Sequence, residues 1–150
     1  MSIIPVRLFT DKILKQPCEP ITDFIGLESL AQDMVETCLA YKGVGLAAPQ
    51  IGLGSQLAVL HLENKTKIIV LANIKIKGYT KETDTQAEGC LSCPGVSIAV
   101  TRYLGVDIEA QLLNGEKVEY RLTEYDARIL QHEYDHLQGK LIINNLIKII

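Results

Sequence analysis

A chain of 150 residues, 22% charged and 47% apolar, has the size and composition of one folded domain with a substantial core. Its formal net charge of −3, with no Lys/Arg cluster, lacks the electrostatic footprint of a nucleic-acid binder. No apolar run approaches the roughly 20 residues that span a bilayer, so no membrane partner is expected.

The first residues, Met1 to Arg7, lack the charged start, apolar stretch and small-residue cleavage site of a secretory signal. Four cysteines, at 18, 38, 90 and 93, are not spaced as a disulfide framework and read as reduced thiols of a cytoplasmic protein. Residues 23–42 place Leu27, Leu30, Ala31, Met34, Val35, Cys38 and Leu39 on one face of an amphipathic helix. Thr22 or Asp23 is the expected cap and Gly43 the stop. Residues 43–50 follow as a glycine-bearing apolar loop, neither helix nor alternating strand. Strands are expected at 56–62, 67–72 and 74–77, then at 96–101, 106–113 and 117–122. His61 falls in the first of these as a structural strand residue. Asn114-Gly115 is the favoured dipeptide for a tight hairpin turn between the last two.

A second helix follows, with a capping-box-like start at Thr123 and Asp126 and an end at Gly139. Its core face is Ala127, Leu130, Tyr134 and Leu137, while Arg128, His132 and His136 share another stripe. The apolar tail, 141–150, should add a strand or pack on the sheet. Antiparallel or mixed sheets around a central helix make the fold class α+β.

His132 and His136 stand at i and i+4, so on a helix both imidazoles point at one spot, with Glu133 beside them. The alternative is a charged helix surface carrying two solvated histidines. A hydrolytic metal wants three protein ligands and one open position. Residues 137–150 hold no His, Cys, Asp or Glu, which removes the third ligand that metzincin-like and thermolysin-like proteases take from downstream. Cys90 supplies it from upstream, since a thiolate with two imidazoles suits a divalent transition metal. Cys90-Leu91-Ser92-Cys93 also spells CxxC, but no second CxxC completes a zinc knuckle and no strand-then-helix context supports a redox fold. Cys93 reads as a small buried neighbour, easily oxidised because it sits close to Cys90.

Three blocks in order, GVGLAAPQ at 43–50, EGCLS at 88–92 and HEYDH at 132–136, resemble the signature blocks of the peptide deformylases. The resemblance extends to Pro94-Gly95 and to Gln131 and Leu137 around the third block. It implies a metal-dependent hydrolase that removes the formyl group from formyl-methionyl peptides and releases formate. It implies Cys90, His132 and His136 as metal ligands and Glu133 as general acid/base. Gln50, through its amide, and Leu91, through its backbone N–H, would stabilise the oxyanion. Ferrous iron is the usual ion of the family, with zinc, nickel or cobalt able to take the same site. Val44, Gly45, Leu91, Tyr125 and Ile129 are candidates for binding the substrate. Asp135 is either a support for the site or a solvated helix charge. Two departures stand out. Arg128, where relatives often carry an aliphatic stretch, is expected at the cleft mouth. The chain also stops 14 residues past His136, short of the C-terminal helix with which bacterial members dock on the ribosome. That length counts against a transient ribosome association and fits a compact, phage-type member. A non-catalytic metal- or peptide-binding relative and an endopeptidase are the other functional readings.

Overall fold

The computed structural model describes residues 2–144. Along them run α1 (Leu27–Ala40), β1 (Gly45–Ala47), β2 (Leu57–Leu62), β3 (Lys67–Tyr79), β4 (Thr83–Cys90), β5 (Cys93–Tyr103), β6 (Gly105–Gln111), β7 (Lys117–Thr123) and α2 (Glu124–Leu137). Strands β1, β2, β3, β6 and β7 form one antiparallel sheet in that order, and β4 pairs with β5 as a separate two-stranded arm. A lone parallel bridge joins Glu19 to Ser55. The architecture is the expected α+β.

Helix α2 packs across β1 and β2 and also reaches β5 and β7. Its predicted apolar face is the one it buries. Leu130 and Leu137 are fully enclosed with Leu60, Leu71 and Ile108, and Tyr134 is half-buried against the same cluster. Each such leucine stabilises the fold by roughly 2 kcal/mol. A second cluster lies under α1, where Met34 and Cys38 meet Leu46, Leu57 and Val59. These two cores hold the histidine-bearing helix against one end of the sheet.

Several local expectations need correction. Helix α1 begins at Leu27, not at residue 23, because Asp23 accepts a hydrogen bond from the Ile25 N–H and Gly26 turns the chain at φ 74°. The capping box at α2 does not form. Thr123 makes no side-chain cap bond, and Asp126 accepts instead from the Glu63 N–H. Residues 67–77 are one strand interrupted by a bulge. Asn73, at φ 53°, swings out of the ladder and its amide bonds Ile21 and Gln111. Residues 45–47, read as loop, form edge strand β1, and β4 was not anticipated at all. The turn at Asn114-Gly115 is a little longer than a two-residue loop, closed by Leu112 N–H to Glu116 C=O. Gly139 does end α2, at φ 78°, and a Cβ there would meet the backbone of Lys15 and Gln16 at 2.8 Å. Of the apolar tail, residues 145–150 lie outside the described residues.

Candidate metal centre and substrate cleft

The β4–β5 arm and helix α2 bring the three proposed ligands together. Cys90 ends β4 and Cys93 begins β5, with Leu91-Ser92 as the turn between them. The Cys90 Sγ lies 3.4 Å from His136 Nε2, and the donor atoms of Cys90, His132 and His136 are all within 4.8 Å of one another. Metal–ligand bonds of about 2.0–2.3 Å in tetrahedral array put donors about 3.5 Å apart, so the set fits one divalent transition metal. His132 Nδ1 bonds Glu88 Oε1 at 3.0 Å, which leaves Nε2 for the cation.

Glu88 is the centre of a buried charge network that sequence reasoning missed. Arg102 grips it with two bonds, Nε to Oε2 at 3.0 Å and Nη2 to Oε1 at 2.9 Å. The other end of the Arg102 guanidinium, Nη1, holds Asp135 Oδ2 at 2.6 Å. Asp135 is therefore tied to the histidine through Arg102 and Glu88, a support rather than a free surface charge. Arg128 is also inside, against expectation. Its guanidinium donates to Glu88 Oε2, to the Val100 carbonyl at 2.9 Å and to Asp84 Oδ1 at 2.8 Å. It lines the cleft wall while its head group is locked under the arm, so it is not free at the mouth. The signal for Arg102 was available. In β5, Ile98, Val100 and Arg102 occupy the inward phase of one alternating strand.

Electrostatics follow from this packing. Burial favours the neutral acid at Glu88, but hydrogen bonds from His132 and Arg102 hold its carboxyl well below the usual range. Burial likewise opposes charge on His132, yet its bonds to Cys90 and Glu88 push the ring up to about 10. To coordinate a cation His132 must lose that proton, so metal binding releases protons and weakens as pH falls. His136 goes the other way: burial, with His132 beside it, holds it well below its ordinary value.

Glu133 packs against Gly45 of β1. Burial raises its carboxyl to about 7, the charges of His132 and Arg102 opposing. Its Oε2 finds no hydrogen-bond partner among the described residues. A Cβ on Gly45 would meet Glu133 Oε1 at 2.5 Å, so the carboxylate rests where only glycine leaves room. Gln50 is buried, its Oε1 accepting from the Ala47 N–H at 2.9 Å. Its Nε2 is 3.1 Å from Ser92 Oγ and 3.8 Å from Cys90 Sγ. Ser92 thus orients the amide, a role not anticipated.

These groups open on a cleft of about 420 Å³ lined by Val44, Gly45, Gln50, Leu91, Tyr125 and Ile129, with Glu133 and His132 at its base. Every predicted site residue borders it except His136, which is buried behind Cys90. Tyr125 is half-exposed and Ile129 almost fully covered. His61 lies outside it, in β2. Among the described residues no helix is long and apolar enough to cross a membrane.

Comparison with known proteins agrees with this geometry. The family model described as polypeptide deformylase matches residues 3–149. The peptide deformylase of Thermotoga neapolitana is 39% identical over 142 residues, covering 94% of this chain and 85% of that protein. That of Acidobacterium capsulatum is 42% identical over 147 residues, covering 95% and 86%. Among solved structures, the peptide deformylase of Thermotoga maritima superposes with a TM-score of 0.92 at 36% identity, over 96% of this chain and 97% of that one. A Met-Ala-Ser-bound class I type b peptide deformylase from Acinetobacter baumannii gives 0.92 at 31%, over 96% and 99%. With the family model spanning nearly every residue and the three blocks converging on one cleft, the chain belongs to the polypeptide deformylase family.

Proposed function

We propose that this protein is a single-domain hydrolase that removes the N-terminal formyl group from formyl-methionyl peptides of nascent chains in the cytoplasm, releasing formate. The observation that carries the reading is the cluster of Cys90, His132 and His136 donors beside one cleft that the buried Glu133 also lines, its Oε2 without a hydrogen-bond partner among the described residues. Those three residues hold one divalent ion, ferrous iron by preference, with zinc, nickel or cobalt as substitutes. When bound, the ion supplies Lewis acidity, polarising the formyl carbonyl and making water a stronger acid.

The chain's own groups do the rest. Glu133 takes a proton from the attacking water and delivers one to the departing amine. Its packing against Gly45 fixes that carboxylate next to the edge strand where the substrate lies. The Gln50 Nε2, oriented by Ala47 and Ser92, and the Leu91 backbone N–H face the developing oxyanion. Among the described residues strand β1 pairs with β2 alone, so its other edge, around Gly45, takes an extended peptide as an added strand. The methionine side chain enters between Val44, Leu91, Tyr125 and Ile129. The tripeptide held by the Acinetobacter baumannii relative, Met-Ala-Ser, has the form of the product such a reaction leaves.

The test is formate release from formyl-Met-Ala-Ser by ferrous protein kept from air. Turnover should require the formyl group, and internal bonds of unformylated peptides should stay intact. Glu133→Ala should cost at least about 10²-fold in kcat with metal still bound. Undiminished turnover in that variant would remove Glu133 from the chemistry, and metal and peptide binding without formate would mark a non-catalytic relative.

A further inference from the structure

Of the CxxC at the tip of the β4–β5 arm the hydrolytic reading uses Cys90 but not Cys93, and the geometry of the pair is specific. Cys90 and Cys93 are direct cross-strand partners on either side of a two-residue turn. Directly opposed antiparallel residues have Cα atoms about 4.5–5.5 Å apart, inside the span of about 4.4–6.8 Å that a disulfide bridges. Their side chains leave the same face of the arm: Cys90 packs against the small cluster of Cys93, Ile98, Val100 and Ile142. Both thiols line the cleft, Cys90 partly exposed and Cys93 buried. A small oxidant arriving through the cleft therefore meets the more exposed Cys90 first, with its cross-strand partner thiol beside it.

We propose that Cys93 is a resolving thiol that captures oxidised Cys90 as an intramolecular disulfide, turning an irreversible oxidative loss into a reversible off-state. The oxidant is a peroxide. The Cys90 thiolate attacks one peroxide oxygen, the O–O bond breaks, hydroxide leaves and Cys90 becomes a sulfenic acid. The Cys93 sulfur then bonds to the Cys90 sulfur, and the sulfenic oxygen departs as water with the Cys93 proton. Two electrons pass from the sulfur pair to one peroxide. Without Cys93 the sulfenic acid goes on to sulfinic and sulfonic acids, which thiols do not reverse. The loss of activity rests on the reading of Cys90 as a metal ligand, but the bond itself does not. The other two thiols are placed differently. Cys18 lies in the main core at the end of α2, its N–H donating to the Leu137 carbonyl, and the Cys38 Sγ donates to the Gly43 carbonyl at 3.4 Å.

The experiment titrates the metal-loaded protein with hydrogen peroxide, alkylates free thiols and maps the tryptic peptide 82–102, which carries both cysteines. The expected peptide is lighter by two hydrogens and unalkylated, metal is released in step, and dithiothreitol with fresh metal restores the starting state. In Cys93→Ser, Cys90 should appear as sulfinic or sulfonic acid, and recovery on reduction should fall at least about tenfold. Wild-type protein with Cys90 over-oxidised while Cys93 remains alkylatable would overturn the proposal, as would a Cys90–Cys38 bond. The wild-type map decides even if the variant folds poorly. A disulfide that forms in protein with no formate release at the outset would sustain the thiol chemistry and sink the hydrolytic reading instead.

Discussion

At Gly45 the missing side chain has a measurable consequence, because the Glu133 carboxylate occupies the space a Cβ would take. Gly45 needs no positive φ, so Gly45→Ala should fold. It should displace the Glu133 carboxylate and lower kcat by about 10²-fold, measured as formate release at unchanged metal content. Glu133 itself leaves a pH signature in metal-free protein. Its folded value is raised from 4.5 to about 7 by burial, so the folded state holds a proton that the unfolded chain has given up. That contribution is fully present below 4.5 and is lost as pH rises through about 7. Denaturant unfolding should therefore show Glu133→Gln gaining on wild type across that window, and parallel curves would contradict the buried carboxylate. At this scale Cys90, His132 and His136 were legible because spacing and the absence of downstream donors left few options. Glu88 was not: a carboxylate beside Gly89 and Cys90 reads as a solvated loop charge until two distant arginines are folded onto it.

Among the elements, the β4–β5 arm explains both what the site needs and what the sequence hides. Strand β4 runs Thr-Asp-Thr-Gln-Ala-Glu-Gly-Cys, mostly exposed, with no apolar alternation to announce it. Its order comes from pairing with β5 and from Arg102 and Arg128, partners that are remote in sequence. Strand β1 was illegible for the opposite reason, being three residues long with all three buried, so it shows no alternation. Helix α2, by contrast, could be read from its period alone, since both its apolar stripe and its histidine stripe are regular. Arg128 joins the two elements, reaching from α2 to Asp84, Glu88 and Val100 on the arm. Arg128→Met removes one partner from a buried ion cluster and should destabilise the protein by about 3 kcal/mol, read from the urea midpoint at constant m-value. An unchanged midpoint would show that the arm docks on α2 without it.

For the molecule as a whole, the α+β class and the order of the elements other than β1 and β4 followed from periodicity. The position of the arm over α2 did not, because buried charge rather than apolar pattern dictates it. That docking brings the Cys90 sulfur of the arm within 4.8 Å of the two imidazole donors of α2, and the proposed chemistry depends on it. The most direct measurement is a titration of metal-free protein with cobalt(II), following the thiolate-to-cobalt absorption band and formate release from formyl-Met-Ala-Ser together. Both should rise in proportion and stop at one equivalent, and Cys90→Ser should lose the band and the turnover. Turnover without metal, or cobalt bound at full activity without the thiolate band, would contradict the convergence of Cys90, His132 and His136 on a single ion.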